Sequence, residues 1–134
     1  MSSTQTERNN VATVARTFNA FAAGDFATLA ATFHPDARWH VAPTGVLKGH
    51  YRGRDQILGF FAHLTHETGG TFRSVPVLLA AAGPRVFSQN QTSAVRRGVP
   101  FSWDDVFVFE FAGGVAIGVE QYVLDHPGIG RFWR

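Results

Sequence analysis

The hydrophobic pattern of this chain turns from mainly helical to wholly strand-like at Gly69-Gly70, and that change restricts the possible folds more than any other feature. Ahead of it, Val11, Val14, Ala15, Phe18, Phe21 and Ala22 recur at helical spacing and predict a first helix over about residues 7–23. Gly24 suits the left-handed position that ends a helix, and Asp25 suits the cap of the next. The second helix puts Phe26, Leu29, Ala30 and Phe33 on one side and ends at Pro35, because a proline disfavours helical geometry in the residue before it. Ala37 to Ala42 alternates as a short strand, with Trp39 and Val41 on one face and Arg38 and His40 on the other, and residues 43–49 form a loop. A third helix over about residues 54–66, capped at Gly53, buries Ile57, Leu58, Phe60, Phe61 and Leu64.

Beyond Gly69-Gly70 the period is two. Strands are predicted over about residues 71–81, 85–96, 100–111 and 115–124, separated by Gly83-Pro84, Gly98 and Gly113-Gly114. Helices first and an antiparallel meander after them make an α+β fold, a sheet wrapped around three N-terminal helices to enclose a pocket. At 134 residues the chain reads as one domain over 1–134, and folding buries roughly two-thirds of its surface.

The last hairpin carries a sharper expectation. Phe101, Trp103, Phe107, Phe109 and Phe111 share one face of their strand, and Val115, Ile117, Val119 and Val123 share one face of the next. If both apolar faces point inward the register is fixed, since a slip of one residue exposes a whole set. Asp105, Gln121 and Asp125 then sit among the inward positions. An ionised carboxylate between Trp103 and Phe107 costs several kcal/mol unless it is partnered, so Asp105 has either a raised pKa or hydrogen-bonding neighbours.

Composition removes several classes of function. With no cysteine there are no disulfides, thiol chemistry or thiolate metal sites. All basic residues except Lys48 are arginines, and they are scattered. Arg96-Arg97 is the one adjacent pair, so there is no basic stripe of the kind that binds nucleic acid. No apolar run is long enough to span a bilayer and the first ten residues hold no signal segment, which predicts a cytoplasmic protein without membrane contact. His63 and His66 share a helix face without a third ligand at matching spacing, so neither metal nor cofactor is expected. There is no phosphate loop, nucleophile motif or dinucleotide fingerprint.

The remaining candidates describe a pocket. Thirteen Phe and three Trp supply an apolar wall, for which Trp39, Phe60, Trp103 and Phe107 are the expected residues, with Tyr51 near the mouth. The polar run from Ser88 to Ser93 lies inside a strand, so alternation turns either Gln89, Gln91 and Ser93 or Ser88, Asn90 and Thr92 inward. Gln89, Gln91 and Gln121 are taken as the polar ligand contacts. Asp125, at the end of the last strand, is the candidate for proton transfer, and Asp105 the candidate to polarise a ligand oxygen.

Phe33-His34-Pro35-Asp36, Trp39-His40, Leu47-Lys48-Gly49 with Tyr51-Arg52-Gly53-Arg54-Asp55 before Phe60-Phe61, Arg97-Gly98, the strand from Glu120 to Asp125, and Phe132-Trp133 together resemble the SnoaL-like, ketosteroid-isomerase-related branch of the nuclear-transport-factor-2-like superfamily. That resemblance spans nearly the whole chain. It implies a cone-shaped, cystatin-like domain with a curved mixed or antiparallel sheet, a deep apolar cavity, and a homodimer packed through the sheet. Set against ketosteroid isomerases, the general base falls on Val41, the pocket tyrosine on about Thr17, and the oxyanion-hole aspartate on Asp105, so the base is missing. Limonene-epoxide hydrolases are similar at Asp125, but their other Arg and Asp fall near Gln89 and Gln91. SnoaL-type cyclases are similar at Asp125. Two classes stay open: a cofactor-independent isomerase, cyclase or hydrolase working on a small apolar ligand, and a non-catalytic ligand-binding or dimerisation module. An arginine paired with Asp105 would favour the second class.

Overall fold

The computed structural model describes residues 2–42, 49–124 and 128–133. The chain opens with α1 (Ser2–Ala23) and α2 (Phe26–Thr32), joined where Gly24 takes φ 69°. Asp25 caps α2: its carboxylate accepts from the Thr28 amide at 3.1 Å and the Thr28 hydroxyl at 2.6 Å, which holds it below the usual carboxylate range. The helix ends at Thr32, short of the expected stop at Pro35. Phe33 is already extended, at φ −106° and ψ 140°, and opens β1 (Phe33–Val41). Pro35 therefore lies within a strand, where it offers no amide, and the pairing of β1 shifts between Phe33 and Arg38.

A second short strand, β2 (Gly49–Arg52), pairs antiparallel with β1 and was not anticipated. Gly53, at φ 86°, turns the chain from β2 into α3 (Arg54–Glu67). Its amide reaches the Ala37 carbonyl at 2.7 Å, and an added Cβ would stand 3.5 Å from the Pro35 carbonyl oxygen. β3 (Arg73–Ala82), β4 (Arg85–Arg96), β5 (Val99–Ala112) and β6 (Val115–Val123) follow as the predicted meander. The β4–β5 turn puts both Arg97 (φ 53°) and Gly98 (φ 79°) in the left-handed region, whose twist matches that of the flanking strands. A last helical turn, α4 (Ile129–Phe132), also went unpredicted.

The six strands form one mixed sheet in the order β2-β1-β6-β5-β4-β3, with β1 and β6 parallel and all other neighbours antiparallel. α1 packs against β3 and β4, and α3 against β1 and β2. This is the α+β cone expected from sequence. Its core is aromatic: Trp39 meets Phe61 edge-on at 5.1 Å and Phe107 at 5.3 Å, and Phe18 stacks on Phe107 at 5.7 Å. Each such ring contributes roughly 1.5–3 kcal/mol by leaving water.

Two parts of the hairpin expectation fare differently. Trp103, Asp105, Phe107, Phe109 and Phe111 are all buried on one face of β5, and Val119, Gln121 and Val123 on the facing side of β6. At the start of β6 the alternation is broken. Glu110 pairs with Gly118 while Phe111 pairs with Ala116, so Ile117 is an inserted residue. The bulge turns Ala116 inward, fully buried, and leaves Ile117 exposed, which corrects the predicted inward places of Val115 and Ile117.

Candidate functional site

A cavity of about 70 Å³ lies between the helices and the concave side of the sheet. α1 supplies Thr17, Phe18 and Phe21, and α3 supplies Phe60, Phe61 and Leu64. Trp39, Phe107 and Gln121 close it from the sheet, and Phe72, Arg73 and Ser74 border it at the start of β3. Of the residues singled out in the sequence, Trp39, Phe60, Phe107 and Gln121 line this cavity. Tyr51 does not reach it. The phenol ring stacks on Phe60 at 4.2 Å, half-buried behind the wall, and burial pushes its pKa up.

Gln121 is the one amide in the wall. Its Oε1 accepts from the Trp39 indole Nε1 at 2.9 Å. An indole nitrogen only donates, so this bond fixes which end of the amide is which. The carboxamide nitrogen is therefore the free end, with no hydrogen bond among the described residues. The two threonine hydroxyls nearby are engaged: Thr17 Oγ1 donates to the Thr13 carbonyl at 2.8 Å, and Thr32 Oγ1 lies 3.0 Å from Thr17 Oγ1 and 3.2 Å from the Thr28 carbonyl.

Asp105 is fully buried but is not part of this wall. It sits between β4 and β5, one inward position beyond Phe107. Asn90 Nδ2 donates to Oδ1 at 3.0 Å, Thr92 Oγ1 lies 3.2 Å from both oxygens, and Trp103 Nε1 lies 3.3 Å from Oδ2. All three partners are neutral, and among the described residues no cation pairs with it. Burial raises its pKa to about 6, against the three hydrogen bonds that favour the charged form. Trp103 belongs to this cluster rather than to the cavity, packed between Phe72, Phe132 and Trp133.

Gln89 and Gln91 require correction. Val86, Ser88, Asn90, Thr92, Ala94 and Arg96 are the buried residues of β4, and both glutamines are exposed on the convex face. The phase follows from pairing: Val86 opposes Phe109 and Asn90 opposes Asp105, so the apolar ends of the strand decide which polar residues go inside. Gln91 instead borders a more open hollow of about 520 Å³ with Ser93, Ser102 and Asp104. Asp125 lies outside the described residues. His40 faces outward, 2.6 Å from Glu120 Oε2, with its ring stacked on His50 at 4.0 Å.

Sequence reasoning missed Ser74 and did not choose Asn90 and Thr92, which hold Asp105 in place. The polar run on β4 was a usable signal for the last two, because one of its two faces had to be buried. The arginine that would have made Asp105 structural is not beside it. Arg96, two inward positions past Thr92, gives Nη2 to Glu67 Oε1 at 3.0 Å and Nη1 to the Phe132 carbonyl at 3.2 Å. No helix among the described residues is long and apolar enough to cross a membrane.

Comparison with known proteins matches this architecture throughout. Bal32a, from a soil-derived mobile gene cassette, superposes with a TM-score of 0.91 at 32% identity, over 96% of this chain and 99% of that one. TerC, co-crystallised with polyporic acid, has the same fold, with a TM-score of 0.81 at 23% identity over 92% of this chain and 97% of its own. Among proteins of known sequence, Rv0034 of Mycobacterium tuberculosis is 27% identical over 121 residues, which is 90% of this chain and 92% of that protein. The family described as the SnoaL-like domain matches residues 14–117. That match spans well over half of the chain, which therefore belongs to the SnoaL-like family.

Proposed function

We propose that this protein binds a small, mostly apolar molecule in the cavity, with an oxygen of that molecule accepting from Gln121. The observation that carries this reading is the amide itself: a carboxamide in a wall of aromatic rings, its oxygen held by Trp39 and its nitrogen without a hydrogen bond among the described residues. A ligand oxygen would give that nitrogen an acceptor. At about 70 Å³ the cavity is far below the ~300 Å³ of drug-sized pockets, so uptake parts the stacked rings of Phe18 and Phe107. Chemistry at such a site is cofactor-independent proton transfer, of the isomerase, cyclase or hydratase kind, with Asp125 as the proton-transferring residue assigned from sequence. The position of Asp105 behind the wall favours a second reading, a carrier that binds without transforming.

Titration with naphthalene and 1,4-naphthoquinone, followed by tryptophan fluorescence, tests the reading. Both should bind, with the quinone favoured, and Gln121→Leu should remove the preference. Exclusion of both probes would end the proposal.

The convex face of the sheet supports a partner as well. Val75, Val77, Leu78, Phe87, Tyr122 and Leu124 are all exposed along β3, β4 and the end of β6. Exposed apolar surface of this extent marks an interface. We assign it to a second copy of the same chain, because a face of this kind on every copy can cover itself about a two-fold axis.

A further inference from the structure

We infer that Ser74, Thr92 and Asp105 form a hydrogen-bond relay joining the buried carboxyl to the cavity wall, so that Ser74 is where a ligand oxygen senses the protonation of Asp105. The inference rests on the reading of the cavity as a ligand site. Ser74 borders the cavity and Asp105 does not, yet only Thr92 separates them. Ser74 Oγ lies 2.6 Å from Thr92 Oγ1, and Thr92 Oγ1 lies 3.2 Å from both carboxylate oxygens. Ser74 and Thr92 are register partners on β3 and β4, and both point to the concave side.

Counting protons gives the relay a direction. Each hydroxyl has one proton. With Asp105 ionised, Thr92 donates to it, so at the 2.6 Å contact Thr92 accepts and Ser74 donates. The Ser74 proton then points away from the cavity, which sees only its lone pairs. With Asp105 protonated, the carboxyl must donate. The Trp103 indole cannot accept, and Asn90 presents its amide nitrogen. The Thr92 hydroxyl is the neighbour that accepts without moving. Its own proton turns to Ser74, and the Ser74 proton turns into the cavity. Ser74 changes from acceptor to donor without any covalent step.

The surroundings leave this titration to one group. Asn90 and Thr92 face Asp105 from β4, Trp103 and Phe107 flank it on β5, and Val123 opposes it from β6. Asp104 is the charged neighbour that acts on it, raising its pKa further, and Arg96 is engaged by Glu67 and Phe132. The resulting value, about 6, puts the change of direction near neutral pH.

1,4-Naphthoquinone has two acceptor oxygens and no donor, so it gains a bond at Ser74 only when Asp105 is protonated. Linkage is reciprocal, so bound quinone must raise the titration midpoint of Asp105. The Trp103 indole N–H resonance, next to the carboxylate, reports that midpoint. We expect quinone binding about 3- to 10-fold tighter below pH 5 than above pH 7, the usual worth of one hydrogen bond, with the midpoint raised by about half to one pH unit. Naphthalene should move neither quantity. Ser74→Ala, and independently Thr92→Val, should abolish the coupling while leaving naphthalene affinity in place. A midpoint unmoved by quinone that does bind would overturn the relay alone, as would a shift that survives Ser74→Ala. Failure of both probes to bind would instead remove the ligand site, and the relay with it.

Discussion

The Trp39 indole donates to Gln121 Oε1 at 2.9 Å across the parallel pair β1 and β6, and this bond orients the one amide of the cavity wall. Trp39→Phe keeps a ring in place but leaves Gln121 free to rotate and its oxygen unpaired. The variant should lose about 1–3 kcal/mol of stability in urea at neutral pH, the cost of an unsatisfied buried acceptor. It should also lose most of the preference for quinone over naphthalene. An unchanged preference would show that Gln121 is oriented by something other than the indole.

Asp105 makes stability depend on pH in an unusual direction for a carboxylate. Its pKa in the fold, about 6, is above the ordinary 3.8, so the folded state holds a proton that the unfolded chain has released. Its contribution is therefore fully present below pH 4 and is lost as pH rises through about 6. The loss is on the order of 3 kcal/mol, at 1.36 kcal/mol per pH unit. Asp105→Asn should flatten this part of the stability profile and be at least as stable as the parent at pH 7.5. The amide of Asn90, whose Oδ1 is buried without a partner, can turn to accept from the new side chain. Denaturant midpoints across pH 4–8 for both proteins check this.

Phe18 and Phe107 stack at 5.7 Å with an interplanar angle of 16° and keep the cavity small. Phe18→Leu should cost about 1–3 kcal/mol through lost ring contact and the void left behind. It should also tighten naphthalene binding, since the gate is already open. Weaker binding in this variant would place the ligand's path elsewhere.

The exposed face around Leu78 and Tyr122 gives an assembly test. Leu78→Glu with Tyr122→Glu should halve the mass measured by light scattering at micromolar concentration without lowering thermal stability of the monomer fold. A parent protein already monomeric there would refute the two-fold arrangement.

Much of the scaffold could be read from residue patterns. The boundaries of β4 were predicted to the residue, because the turn residues Gly83-Pro84 and Gly98 bracket it. The inward set of β5 was legible because five aromatic residues share its face. β2 was not, since Gly49–Arg52 is four residues long and owes its pairing to β1 rather than to its own pattern. The bulge at Ile117 was hidden for a related reason. Val115, Ile117 and Val119 alternate perfectly in sequence, and only pairing with β5 shows that one residue is extra.

For the site, the chain's own pattern determined that an aspartate lies among the aromatic residues of β5 and that a polar strand lies beside it, since strand periodicity is a local property of the backbone. What only the tertiary structure decided is which face of β4 turned inward, and hence that Asn90 and Thr92, not Gln89 and Gln91, meet the interior. It also decided that Asp105 stands behind the cavity wall and touches it through Ser74. Those contacts join successive strands of the meander side by side, and their partners are chosen by register and packing across the sheet rather than by neighbours along the chain.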